Sequence, residues 1–123
     1  MPYFRFENLE TWRLARQLAN KIYAISKNFP KEELFCLTNQ IRRAALSIFL
    51  NITEGSDRKS DQEFIRFLRI SYTSMEEVIA GLYIALDQQY INRETFDSTY
   101  EEVSLLAKKI NALINSLRAP TAF

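Results

Sequence analysis

The chain has 123 residues, 47% apolar and 25% charged, enough apolar material for the core of one ordinary domain. Two glycines and three prolines are too few turn-formers for many short strands. A net charge of +1, one cysteine and no histidine exclude a strong global field, an internal disulfide, a cysteine metal cluster and every Ser-His or Cys-His nucleophile pair.

The first residues lack the basic, apolar and small-residue order of a signal peptide, and no apolar run approaches the ~20 residues of a membrane span. A cytoplasmic protein without membrane contact is expected. Asn51-Ile52-Thr53 matches a glycosylation sequon but falls inside an expected helix, so it carries no weight. Charge is uneven along the chain. Residues 1–31 carry six basic side chains against two acidic, and residues 54–90 carry four against seven. Complementary patches between copies of the chain account for this as well as a ligand field does.

In chain order, the spacing predicts a first helix over about 8–28. Leu9, Trp12, Ala15, Leu18, Ala19, Ile22 and Ile25 form its apolar stripe. Phe29-Pro30 ends it, because the residue before proline is pushed out of the α region. A second helix is expected over about 31–54, with Glu32 and Glu33 in its first turn and Gly55 as a left-handed C-terminal residue. Ser60 and Glu63 form a capping box that opens a third helix over about 61–89. That helix is expected to bury Phe64, Phe67, Leu68, Ser71, Met75, Val78, Ile79, Leu82 and Leu86. Asn92 caps a fourth over about 93–117, whose seam reads Phe96, Tyr100, Val103, Ala107, Ile110, Ile114 and Leu117. The tail Ala119–Phe123 is expected to fray. Long helices with short connections give an all-α, antiparallel up-down-up-down four-helix bundle, one domain over residues 1–123.

The second helix carries more apolar surface than a bundle needs. Leu34, Leu37, Ile41, Ala44, Ala45, Ile48 and Ile52 fill one stripe about 100° wide. Phe35, Leu46, Phe49 and Leu50 project elsewhere, mostly to the far side. They either stay partly exposed, as many surface apolar residues do, or, on the stronger reading, are the candidate contacts between copies of the chain. Gln40, Arg43, Ser47, Asn51 and Glu54 form a polar stripe between the two apolar surfaces, about 80° wide. As a solvated groove it needs no explanation. Flanked by apolar residues on both sides, it reads rather as a buried or interfacial ladder whose members satisfy one another, with Arg43 donating to Asn51 or to a carboxylate such as Glu54 or Glu77.

Phe29-Pro30, Glu33-Leu34, Gln40-Ile41-Arg42-Arg43-Ala44, Ser47-Ile48 and Asn51-Ile52-Thr53-Glu54-Gly55 form a recognisable string. The chain resembles the bacterial four-helix-bundle family first noticed in intervening sequences of 23S ribosomal RNA genes. That family is related to the accessory variability determinant of diversity-generating retroelements. Asn8-Leu9 with Trp12, Glu63-Phe64 with Phe67-Leu68, and Ser74 with Glu77 extend the likeness over nearly the whole chain. Thr53 stands where the family usually has Ala, Thr73-Ser74 where Gly-Ser is usual, and Ile79 where Glu is common. The resemblance implies a ring-like homopentamer and no known catalysis. It also implies association with RNA or DNA, or with a nucleic-acid enzyme, as in the retroelement relative.

Three functions compete. A nucleic-acid or ribonucleoprotein accessory factor would use Arg13, Arg16, Arg42, Arg58, Lys59, Arg66 and Arg69, each neutralised phosphate releasing counterions. The bland reading makes some of these surface ion pairs with Asp57, Asp61 and Glu63. A protein-protein scaffold would use Phe35, Phe49 and Tyr83 as anchors. An enzyme or metal carrier is disfavoured. Di-iron bundles need Glu-x-x-His pairs, and the expected core stripes of the third and fourth helices hold no acid. No catalytic residue, cofactor or metal is expected.

Overall fold

Apolar stripes set the helices, and a few hydrogen bonds set where each begins and ends. The computed structural model describes residues 2–118. Four helices run through them: α1 (Glu10–Ser26), α2 (Leu37–Ser56), α3 (Asp61–Asp87) and α4 (Arg93–Arg118), with no strand among the described residues. α1 packs against α2 and α4, and α3 packs against the same two. Neither diagonal pair approaches closely. The result is the expected four-helix bundle. Ala119–Phe123, expected to fray, lie outside the described residues.

Ile22, Ile48, Ile52, Leu68, Val78, Leu82 and Ile110 lose all their accessible surface in the core, each worth about 1.5–3 kcal/mol relative to exposure. The α2–α3 seam is the most extensive. Ser71 Oγ donates to the Ile48 carbonyl (2.9 Å) and Ser74 Oγ to Ser47 Oγ (2.8 Å). Short side chains let the two backbones approach, and each hydroxyl finds a partner there. Across the bundle, α1 and α4 are also joined by the ion pairs Lys21–Glu102 (3.3 Å) and Lys109–Glu10 (3.2 Å).

The second helix starts six residues later than its sequence pattern suggests. Lys31–Glu33 form a 3-10 turn instead, and Cys36, at φ −124° and ψ −106°, breaks the path before Leu37. The cause is Glu33. Its carboxylate accepts the Leu37 N–H (3.3 Å) and the Tyr90 hydroxyl (2.8 Å), so it caps α2 from outside and ties that turn to the α3–α4 connection. Leu34, expected in the core stripe, is therefore exposed, as are Phe35 and Cys36.

Gly55 does not end α2 in a left-handed conformation; it is helical, and α2 continues to Ser56. Its lack of a side chain serves packing, since a Cβ there would lie 2.7 Å from Phe67 Cβ and 3.0 Å from the Phe64 ring. The left-handed residue is Gln89, at φ 64°. Gln89 N donates to Leu86 O (3.0 Å) and Tyr90 N to Ala85 O (2.8 Å), a Schellman ending for α3.

Two expected caps are in place. Ser60 Oγ accepts Glu63 N (3.1 Å) and Asn92 Oδ1 accepts Thr95 N (2.8 Å). In α4 the buried stripe is Phe96, Thr99, Val103, Leu106, Ile110 and Ile114. Tyr100, placed in the seam by its spacing, is 42% exposed. Thr99 takes the inward position because its hydroxyl donates to Thr95 O (2.7 Å), which removes the penalty of burying it. In α3, Ile79 and Leu86 are only partly buried, while Ser74 and Ala85 join the core face.

Candidate nucleic-acid and self-association surfaces

The basic residues divide by what their guanidinium groups touch. Arg42 is spent on structure: its Nε donates to Ser26 Oγ (2.8 Å) and its guanidinium lies 4.9 Å from the Tyr23 ring centre, tying α2 to α1. Ser26 in turn donates to Ile22 O (2.6 Å), so the contact forms a fully bonded relay. Arg13 and Arg16 stand on the exposed face of α1. Arg13 Nη2 donates to Asn8 O (3.1 Å), and Arg16 sits 6.0 Å from the Trp12 ring centre.

The α2–α3 connection gathers the others. Arg58 and Arg66 lie 4.6 Å and 5.0 Å from the centre of the Phe67 ring, and Arg66 also reaches Glu63 at 4.0 Å. Lys59 and Arg69 are exposed nearby in sequence. Arg5, which helical periodicity does not single out, belongs to the same end. Its guanidinium lies 5.4 Å from the Phe64 ring centre, and Nη1 donates to Ser56 O (2.8 Å). The alternation Phe4-Arg5-Phe6 is the signal that points to it. Cations resting on aromatic faces keep their charge while losing rotamer freedom, which prepares them to meet an anion.

The apolar contact candidates do not form one patch. Phe35 is 87% exposed, but it sits on the turn before α2 rather than on the helix. Leu50 is 50% exposed and Leu46 half-buried. Phe49 is covered within the chain: its ring centre is 5.1 Å from Trp12, which has Phe6 5.0 Å away. Trp12 Nε1 also donates to Thr53 Oγ1 (2.9 Å), and Thr53 Oγ1 to Phe49 O (2.9 Å). Trp12 and the N-terminal segment thus cover part of the far side of α2 at this level, while Leu50 stays half exposed.

The polar stripe is organised around Ser47, not Arg43. Asn51 Nδ2 donates to Ser47 O (2.8 Å) and Ser47 Oγ (3.1 Å), and Ser74 completes the cluster. Among the described residues Arg43 makes none of the expected contacts with Asn51, Glu54 or Glu77; it is exposed, like Gln40 and Glu54. Among the described residues the perturbed titratable group lies elsewhere. Tyr90 is raised above its usual value of 10.0, first by its hydrogen bond to the Glu33 carboxylate, then by burial and the charges of Glu33 and Glu32.

A groove of about 400 Å³ runs between α3 and α4, with Tyr72, Glu76, Tyr100 and Ser104 among its lining. Among the described residues no group of three or more Cys, Asp or Glu is placed to hold a metal ion, and no helix is long and apolar enough to cross a membrane.

A four-helix bundle with a hydroxyl-bonded central seam and arginines seated on rings at one end is the class these features define. The chain belongs to the 23S rRNA-intervening sequence protein family, whose model matches residues 7–112. It is also similar to the solved structure of a protein with unknown function from the S23 ribosomal protein family of Bacteroides thetaiotaomicron. That likeness has a TM-score of 0.79 at 25% identity, covering 85% of this chain and 97% of the other. No curated protein matches the chain.

Proposed function

We propose that this chain is a non-enzymatic, oligomeric accessory factor that associates with nucleic acid or a ribonucleoprotein in the bacterial cytoplasm. The observation that carries this reading is the pair Arg58 and Arg66, seated on Phe67, with Lys59 and Arg69 on the same stretch of chain. Arg13 and Arg16 extend the basic surface along α1, whereas Arg42 drops out because α1 already holds it. The family name refers to 23S rRNA and the neighbour's to a ribosomal protein family, which favours RNA over DNA.

Assembly belongs to the same proposal. A ring of five, implied by the resemblance of the sequence string, would repeat each basic patch five times and steepen the salt dependence of binding. Leu46 and Leu50 are the contact residues that fit, with Phe35 on the adjoining turn. The test is a gel-shift titration with structured RNA at two salt concentrations, alongside mass measurement of the particle. Arg58→Gln, Arg66→Gln and Arg69→Gln together should weaken binding and reduce the salt slope by about one unit for each phosphate these side chains neutralise. An unchanged slope removes them as phosphate ligands.

A second reading, a scaffold that docks another protein, is supported by exposed Phe35, Tyr83 and Ile84. It expects partner binding that is indifferent to salt.

A further inference from the structure

The N-terminal arm presents aromatic rings to solvent in a way the bundle does not require. Tyr3 is 88% exposed and Phe4 56%. Tyr3 meets Phe4 edge-on (centroids 5.2 Å, 87°), and Phe4 stacks on Phe6 (5.5 Å, 14°). Phe6 continues the train to Trp12 and so to Phe49 on the core. The arm is anchored: Phe4 N donates to the Glu7 carboxylate (3.1 Å), Glu7 N to Phe4 O (3.1 Å), and Arg5 is held at Ser56. Two large rings are therefore braced outward from a fixed turn.

Beneath them lies a cleft of about 620 Å³ whose walls include Arg5, Arg58, Glu54 and Asp57. We infer that Tyr3, Phe4 and this cleft form a stacking platform for the bases of single-stranded nucleic acid. Stacking needs an exposed base face, which a duplex hides and an unpaired strand offers. The mixed charge sets polarity: Arg58 and neighbouring Lys59 suit phosphates at the rim, while Glu54 and Asp57 repel phosphates and accept hydrogen bonds from exocyclic amines of bases turned inward. Tyr3 and Phe4 precede residues 7–112, so the two rings lie outside the segment that the family model describes, while Glu54, Asp57 and Arg58 of the cleft lie within it. The inference rests on the nucleic-acid reading above and narrows it to unpaired strands.

The test measures fluorescence anisotropy of labelled oligonucleotides of about a dozen nucleotides, RNA and DNA, single-stranded or annealed to a complement, against the full chain. The expected result is tighter binding of the single strand. Tyr3→Ala with Phe4→Ala should weaken that binding by roughly tenfold or more, while leaving helical circular dichroism and particle mass unchanged. Tyr3→Phe with Phe4→Tyr, which keeps both rings, should retain it. Trp12, the only tryptophan, stands two rings from Phe4 and should change its emission on binding. If no oligonucleotide binds, both the platform and the broader nucleic-acid reading fall. If nucleic acid binds but the alanine pair changes nothing, the platform alone is overturned. A change in particle mass on removing the rings would make the arm a contact between copies and overturn it too.

Discussion

The two ends of the bundle are closed by different chemistry. Where α2 hands over to α3, closure is by volume: Gly55 lies against Phe64 and Phe67, and three arginines sit on the outer faces of those rings. At the opposite end, closure is by directed polar contact. Glu33 bridges the Leu37 amide and the Tyr90 hydroxyl, and Tyr90 packs its ring 5.5 Å from Phe29. The ring-closed end keeps its cations on the surface, while the hydrogen-bonded end spends its carboxylate inward. An end stabilised by packing can leave charge available for a partner.

Substitutions that separate volume from hydrogen bonding sharpen this contrast. The largest effect is expected from Phe64→Ala, which removes a ring only 1% exposed and should cost about 3–5 kcal/mol in urea denaturation. Gly55→Ala should follow. Although alanine is the better helix former, the overlap with Phe67 Cβ should leave a net loss of about 1–3 kcal/mol. At the other end, Gln89→Gly should stabilise by about 1 kcal/mol, since it relieves the left-handed backbone at φ 64°. A neutral or destabilising result would show that the glutamine side chain makes up for its backbone.

The smallest effect concerns pH. Tyr90 has a raised folded-state pKa, so its contribution is fully present below its ordinary value of 10.0 and is lost as pH rises through the folded value. The wild type should therefore lose stability in alkali more steeply than Tyr90→Phe, as read by thermal melts across that range. Parallel curves would mean that the Glu33 bond contributes nothing to folding.

Periodicity and capping make much of the fold legible in the sequence: four helices, their antiparallel order, and the Ser60 and Asn92 caps. The start of α2 is not legible, because Glu33 is claimed by a hydroxyl 57 positions away. Gly55 shows that a glycine near a helix end has two meanings, a left-handed turn or a close approach, which only the facing helix distinguishes. Thr99 looks too polar for the core, although its hydroxyl is bonded within its own helix. At the candidate surface, charge alone does not separate Arg42, which is bonded to α1, from Arg58, which is not. Phe49 looks unpartnered in sequence because its cover, Trp12, comes from another helix.

Breaking the chain's path at Cys36 gives the molecule a natural attachment point. Cys36 is the sole thiol, and it is exposed beside Phe35 at the shoulder ahead of α2. A maleimide dye would mark each chain at one defined position without any mutation. If the proposed assembly forms, energy transfer between donor- and acceptor-labelled chains would report how far apart the shoulders of neighbouring copies stand.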